Sequence, residues 1–568
     1  MIIRVLLALA LTVPAVPVET EARSCPVAVP ANTTCGFLVV PERRDAPGKT
    51  TKVGYAVHRS TAKDRKPDPV VYMSGGPASA SIQLTTFMSQ MFPDRDVVTI
   101  EQRGSKYSDP VLACPETAEA MLRSTDVAAA AVKCRDRLRE QGVDLRGYNT
   151  KEITADVVAL RQALGYPQWN LFGVSYSTRV MLDVAAADPK GVRSVVLDSF
   201  LPEKVNWYDD AEGNFGDVLR RLGLGDRFDA LVARLNAHPA QVPTVDPLVG
   251  KPYTARMTGD MVATILSEGM HDSDLSAVAP ALIDALADGH DELLRPLADG
   301  VGQSLVSHEF GLYHAVQCQD EVPFNTVTAK SRFFTVNADK AVCAAWKLPK
   351  SAPVNATTTA PVLVVGGQDD PTTPARTAKP AAEALPNARF VEFANTSHAV
   401  FLVNQCARQW IGYFVNNPDI AKGAMSGLCS PAESAAFPRV KPADVHAGGA
   451  PYQISLMPWL GAPFALFALV SLFQLVVGGL RGRAITAFSG LAGVAFAGLV
   501  AQSVYAMIGE NQTALAVGLP AAVTYYGYLA AASAVLAVVA LVRERRWPQI
   551  TAVVVAAGFL VWWYAWAT

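Results

Sequence analysis

Three side chains that could together hydrolyse an acyl bond follow one another along the chain: Ser175, an aspartate at Asp369 or Asp370, and His398. A serine hydroxyl is a poor nucleophile at neutral pH. A neutral imidazole must take its proton, and a buried carboxylate must fix the imidazole tautomer and stabilise the imidazolium. Ser175 lies in Gly173-Val174-Ser175-Tyr176-Ser177, between the apolar run Trp169-Asn170-Leu171-Phe172 and a helical-looking stretch from Thr178 to Ala185. This reads as a nucleophile elbow, a tight strand-to-helix turn that lifts the hydroxyl above a sheet and needs small residues two before and two after. Gly173 meets that need, and Ser177 is the second choice after glycine. Five-residue matches are common by chance, so the residues further along decide.

The run Ala360-Pro361-Val362-Leu363-Val364-Val365-Gly366-Gly367 reads as a buried parallel strand. It opens onto Gln368-Asp369-Asp370-Pro371-Thr372-Thr373-Pro374, which offers the acid. A second strand, Ala388 to Phe393, leads to Ala394-Asn395-Thr396-Ser397-His398, where the base is expected. Ser, Asp and His in that order, each after a strand, is an established arrangement for such a triad. A tetrahedral oxyanion also needs donors. The backbone N–H of Tyr176 is one candidate, and the glycine turn after Val70-Val71-Tyr72-Met73-Ser74, with Gly75 and Gly76, offers a second. Separately, a Gly-Gly-Pro turn is usually only a turn and a lone histidine usually structural. Their common order at strand ends is what carries the chemistry.

With these motifs the chain resembles the tripeptidyl-aminopeptidase-like α/β-hydrolases, a group related to the prolyl iminopeptidases, from about Cys35 to Cys429. Ser74-Gly75-Gly76-Pro77 stands where the group has His-Gly-Gly-Pro-Gly, and Glu101-Gln102-Arg103-Gly104 where it has Asp-Gln-Arg-Gly. Gly173-Val174-Ser175-Tyr176-Ser177 stands for Gly-x-Ser-Tyr-Gly, with Val196-Leu197-Asp198 and Cys318-Gln319-Asp320 as further marks. Asp370-Pro371-Thr372-Thr373-Pro374 matches the group's Asp-Pro-x-Thr-Pro and favours Asp370 over Asp369. Ser74, Ala78 and Ser177 depart from the group's pattern at the oxyanion loop and the elbow. The resemblance implies release of tripeptides or shorter units from free N-termini through an acyl-enzyme, with no cofactor and no metal. Recognition of a substrate ammonium needs an acid above the nucleophile; Asp320 and Glu321 are the candidates, a solvated loop acid or helix cap being the bland alternative.

The elements that must position these residues read as α/β, a mostly parallel sheet with helices on both faces. Strands are expected near 36–41, 53–58, 69–73, 96–101, 170–174, 193–198, 361–366 and 388–393. Between Phe200 and about Thr357 strand periodicity gives way to helical periodicity, as in Phe228-Leu231-Val232-Leu235. That insertion between the sixth and seventh expected strands reads as a helical cap over Ser175. The expected organisation is a signal peptide at 1–22, hydrolase core at 23–200 and 358–430, cap at 201–357, linker at 431–455 and a membrane region at 456–568.

Eight cysteines fall as near neighbours, Cys25 with Cys35, Cys114 with Cys134, Cys318 with Cys343, and Cys406 with Cys429. The even number and the lack of CxxC spacing point to disulfides rather than zinc, hence to an oxidising compartment. Arg4 and the apolar Val5 to Leu11, with Thr20-Glu21-Ala22 as a cleavage site, read as an export signal. Four apolar segments near 456–480, 484–508, 516–541 and 549–567 have spanning length. Arg481 and Arg483, and later Arg543, Arg545 and Arg546, mark the first and third breaks as cytoplasmic, which leaves the hydrolase outside. No charge lies deep in a span, which argues for an anchor over a transporter. Of 568 residues, 49 are basic and 51 acidic, a net charge of −2 that indicates no nucleic-acid partner. The expected partners are peptides with free N-termini and, through four spans, membrane lipid; oligomeric state is not legible. The rivals to a membrane-tethered extracytoplasmic aminopeptidase are an esterase or lipase with the same triad, and a non-catalytic sensor built on a hydrolase domain.

Overall fold

The computed structural model of the protein describes residues 19–352, 356–420 and 427–568. Nine strands form one sheet: β1 (Glu19–Arg23), β2 (Thr33–Pro41), β3 (Thr50–His58), β4 (Lys66–Met73), β5 (Arg95–Ile100), β6 (Trp169–Val174), β7 (Val192–Asp198), and, after the cap, β10 (Val362–Gly367) and β11 (Ala388–Phe393). Their order is β1-β2-β3-β5-β4-β6-β7-β10-β11. The first four neighbours in that order pair antiparallel, and β5, β4, β6, β7, β10 and β11 pair parallel. The parallel strands carry consecutive apolar runs, such as Val70–Met73 and Val362–Val365, because both faces are covered. Val71, Met73, Leu171, Val195 and Val364 pack to one face, while Val70, Tyr72, Phe172, Val196 and Val365 pack to the other. That two-residue alternation fixes the register, since a one-residue slip would exchange every side chain between faces.

The cap between β7 and β10 has a core of its own, built from Phe215, Phe228, Leu231, Leu266, Leu282 and Leu286 among others. It also contains a hairpin, β8 (Ala240–Val245) with β9 (Pro252–Met257), where helices alone were expected. The alternation of buried and exposed residues along Ala240–Val245 is visible in the sequence, but Pro243 within it reads as a strand breaker. Four disulfides join Cys25–Cys35, Cys114–Cys134, Cys318–Cys343 and Cys406–Cys429, each between sequence neighbours.

Two expected boundaries fall within ordered chain. The signal-peptide reading covers 1–22, of which 1–18 lie outside the described residues, yet residues 19–22 belong to β1 and pair with β2. A cut after Ala22 would remove four of its five residues. The linker expected at 431–455 is docked chain. Val440 N donates to Ala277 O at 2.9 Å, β12 (Val445–Ala447) pairs with β13 (Gly518–Pro520), and the helix Ala450–Leu456 follows. Proline and glycine hid this segment because its partner strand lies far along the chain. Gly518 permits the pairing, since a Cβ there would sit 2.0 Å from His446 O.

Four helices, Pro458–Leu480, Ala484–Ala516, Ala522–Glu544 and Trp547–Ala567, are long and apolar enough to cross a membrane. The second runs past its expected end at 508 because its far end docks on the cap. Inside the bundle Ser489 and Ser533 exchange hydroxyl-to-carbonyl hydrogen bonds of 2.8 Å each, small residues letting the backbones approach.

Candidate active site

Ser175 ends β6 and starts the helix Tyr176–Ala187 at φ 56°, ψ −127°. A non-glycine residue at positive φ stores about 1–3 kcal/mol and persists only when its surroundings over-determine it. Here they do. Ser175 N donates to Asp198 O at 2.9 Å, and Thr178 N to Ser175 O at 2.9 Å. Gly173 is needed because a Cβ there would lie 2.7 Å from Ser177 O. Ser177 is fully buried, and its hydroxyl accepts from Val174 N at 2.8 Å while lying 2.7 Å from Met73 O. The residue that departs from the expected pattern thus ties the elbow to the end of β4.

Asp370 is fully buried after β10. Its Oδ1 accepts from Thr372 N at 2.8 Å and Thr373 N at 2.9 Å. Its Oδ2 accepts from Thr373 Oγ1 at 2.7 Å and lies 2.8 Å from His398 Nδ1. Burial alone would raise the Asp370 pKa, but the His398 charge and these hydrogen bonds outweigh it and hold the carboxyl well below the usual range. For His398 burial works downward, yet the Asp370 charge and hydrogen bond win and raise it above 6.5. Both shifts express one interaction and count once. Asp369 points elsewhere, paired with Arg221 and Arg439 at 3.0 Å each.

Ser175 and His398 line one cavity of about 390 Å³ with Gly75, Gly76, Glu268, His271, Tyr313 and Gln317. Ser175 Oγ has no hydrogen-bond partner among the described residues, as is common before substrate tightens such a site. Gly75 abuts the nucleophile so closely that a Cβ would lie 2.7 Å from Ser175 Cβ. Gln102 shapes the turn, its Nε2 donating to Ser74 O and Gly75 O at 3.0 and 2.8 Å, its Oε1 accepting from Ala78 N at 3.0 Å. Tyr176 N–H is the first of the helix, free of an intrahelical partner; its phenol turns away, 2.8 Å from Thr150 Oγ1.

Asp320 and Glu321 are outside the cavity. Asp320 accepts from Thr150 N and Thr150 Oγ1 at 2.7 Å each, fixing the start of the helix Thr150–Leu164. Glu321 forms a buried ion pair with Arg179 of the helix behind Ser175. The acid that does face the cavity is Glu268, which sequence reasoning passed over as a polar residue closing the helix Gly259–Gly269. Its side chain is half exposed at the cavity wall, with Oε2 3.9 Å from His271 Nδ1, and the desolvating walls together with the Asp339 charge raise its carboxyl. Gln317, 3% exposed, also lines the cavity and leaves its Oε1 without a partner. The His271 ring lies 5.0 Å from the His398 ring, tilted by 33°, and burial and the His398 charge push it down to about 3, so it stays neutral. Asp198 was legible only as a sequence mark. It accepts from Val400 N at 3.0 Å and Phe401 N at 2.8 Å, bracing the turn that follows His398.

The chain matches a model of the alpha/beta hydrolase fold over residues 68–243 and a TAP-like protein model over residues 331–425. It is 26% identical over 479 residues to serine protease Hip1 of Mycobacterium tuberculosis, covering 72% of this chain and 90% of that protein. It is 23% identical over 452 residues to the tripeptidyl aminopeptidase of Streptomyces coelicolor, covering 66% and 80%. The two models fall on the sheet and on the β10–β11 region that bears Asp370 and His398, so the chain is a serine hydrolase of the α/β-hydrolase fold with a TAP-like region, similar to these peptidases.

Proposed function

We propose that the protein is a membrane-tethered, extracytoplasmic aminopeptidase that releases tripeptides or shorter units, with Ser175 as nucleophile, His398 as base and Asp370 as its orienting acid. Ser175 Oγ attacks the scissile carbonyl while His398 takes the hydroxyl proton. The oxyanion is held by the N–H groups of Tyr176 and of the Gly75–Gly76 turn. The C–N bond breaks as His398 passes that proton to the leaving amine, and a water activated by His398 hydrolyses the acyl-enzyme.

One observation favours a peptidase over an esterase: an acid, Glu268, and an unpartnered buried acceptor, Gln317 Oε1, line the cavity that holds Ser175. An ester acyl chain offers neither a donor. A peptide N-terminus offers an ammonium that satisfies both, and charge-assisted pairing in a partly buried site is the strong kind. Glu268 therefore takes the role that sequence had given to Asp320 and Glu321. Support for the outward orientation comes from the disulfides and from the membrane helices, whose arginine-bearing loops lie at the ends away from the cap-docked hairpin.

The test compares free-amine peptides with their N-acetylated forms on the full chain in detergent micelles. Free amines are expected to turn over at least tenfold better, and Glu268→Gln to erase most of that preference. Equal turnover of both forms, or faster turnover of simple esters, would return the reading to an esterase. A fluorophosphonate should label Ser175; a folded protein that stays unlabelled would leave only the sensor reading.

A further inference from the structure

The loop that carries His398 leans on the cap. His398 N donates to His271 O at 3.2 Å, Ser397 N to Ser273 Oγ at 2.9 Å, and Ser397 Oγ to Met270 O. On either side of this stretch Asn395 and Ala399 adopt positive φ, 46° and 54°. Asparagine tolerates this region, but at Ala399 it costs about 1–2 kcal/mol, so this loop needs support from outside itself.

Residues 270–273, which give that support, open the helix Ser273–Ala287, and the helix start is poorly secured from within: its N-cap residue Asp272 makes no side-chain capping hydrogen bond. What secures it comes from the membrane region. Asn511 Nδ2 donates to Asp274 O at 2.8 Å and Thr513 Oγ1 donates to the Asp274 carboxylate. Just beyond, Ala514 and Val517 are each 1% exposed and share an apolar cluster with Val278, Leu282 and Leu286 of that helix. The chain of contacts runs from the hairpin joining the second and third membrane helices, through Asp274 and Ser273, to Ser397 and His398.

We infer that this hairpin, through Asn511 and Thr513, is a positioning element of the active site, so the four spans hold the catalytic histidine in place as well as anchoring the enzyme. The inference rests on the triad reading above. Asn511 and Thr513 touch no substrate. They act through the turn 270–273, and misplacing a reacting group by about 1 Å can cost on the order of a hundredfold in rate.

The readout is the rate at which a fluorophosphonate labels Ser175, which reports the Ser175–His398 geometry and is independent of the unknown substrate. With the full chain in detergent micelles, Asn511→Ala with Thr513→Val is expected to slow labelling about tenfold while the protein still labels to completion. Thr513→Ser, which keeps the hydroxyl, should label at the unmodified rate. If the double variant does not fold, each single change removes one of the two bonds to Asp274, Asn511→Ala losing in addition the cap on Thr513 N, and is expected to slow labelling about threefold. Rates within twofold of the unmodified protein in folded variants would overturn the inference. So would a Thr513→Ser variant as slow as Thr513→Val, because the hydroxyl would then be irrelevant. An unmodified protein that is itself unlabelled would instead overturn the triad reading.

Discussion

Replacing Ser177 by the glycine that the related pattern carries should damage this protein, although it moves the elbow toward its relatives. The Ser177 hydroxyl accepts from Val174 N at 2.8 Å and reaches Met73 O at 2.7 Å, and the residue is fully buried. In Ser177→Ala the Val174 N–H loses that acceptor where water cannot replace it, a cost of about 1–3 kcal/mol. Ser177→Gly adds about 0.5 kcal/mol or more, because the residue lies in the first turn of a helix and glycine is a poor helix former. The alanine variant should therefore lose about 1–3 kcal/mol and the glycine variant somewhat more. Denaturant unfolding of the soluble core, followed by tryptophan fluorescence on the full chain, measures the loss. Because Val174 immediately precedes the nucleophile, labelling of Ser175 should slow in step. An alanine variant within about 0.5 kcal/mol of the unmodified protein, the range of an inert surface change, would refute the argument that this hydroxyl holds the elbow.

Other expectations follow from the site. Activity requires neutral His398, whose pKa is raised above 6.5 chiefly by Asp370 against the effect of burial, so the acid limb of kcat/KM should lie above pH 6.5. Stability has the opposite sign for this group: the favourable protonated pair is fully present below pH 6.5 and is lost as pH rises through the folded value. Asp370→Asn should lower the His398 pKa and cut kcat by orders of magnitude, and an acid limb that stays in place would sink that assignment. Asp320→Asn should cost about 1–3 kcal/mol through the Thr150 contacts while the KM for free-amine peptides stays unchanged; a selective rise in KM would restore Asp320 as a substrate ligand. Ala78, at φ 82°, should be relieved by Ala78→Gly, which is expected to raise stability by about 1 kcal/mol in thermal unfolding.

What the sequence made legible is local. The apolar run Val362–Gly367 announces a strand because it is buried on both faces, and the glycines around Ser175 announce a turn because the approach distances admit nothing larger. The cysteine pairs were readable for a similar reason, since each closes a short loop. Edge strand Glu19–Arg23 has no apolar pattern of its own and owes its form to pairing with Thr33–Pro41, so it was read as leader. Glu268 was missed for a related reason. Its helix shows a clear apolar stripe, but the turn after it, and therefore the direction of its last residues toward Ser175, is set by contacts with a loop more than a hundred residues away. Asp320 drew notice because it follows a recognisable cysteine, and that same fixed setting gives it a capping role instead.

The membrane hairpin shows where a reading by segments fails in physical terms. Composition divides the chain cleanly at about residue 456, since the helices beyond are apolar and the chain before is mixed. The packing does not follow that division. Ala514 and Val517 complete the cap core, and Asp444 O accepts from Ala521 N at 2.9 Å beside the β12–β13 pair. Removing everything after residue 456 would open an apolar surface at the helix Ser273–Ala287 and free Asp274 from both of its partners in the hairpin. Burying a side chain the size of valine is worth about 1.5–3 kcal/mol. Exposing Val517's site together with its neighbours would therefore weaken the cap at the end that braces His398. A truncated hydrolase should then lose activity before it loses its disulfide-held sheet, and an anchor that served only to tether would show no such order of loss.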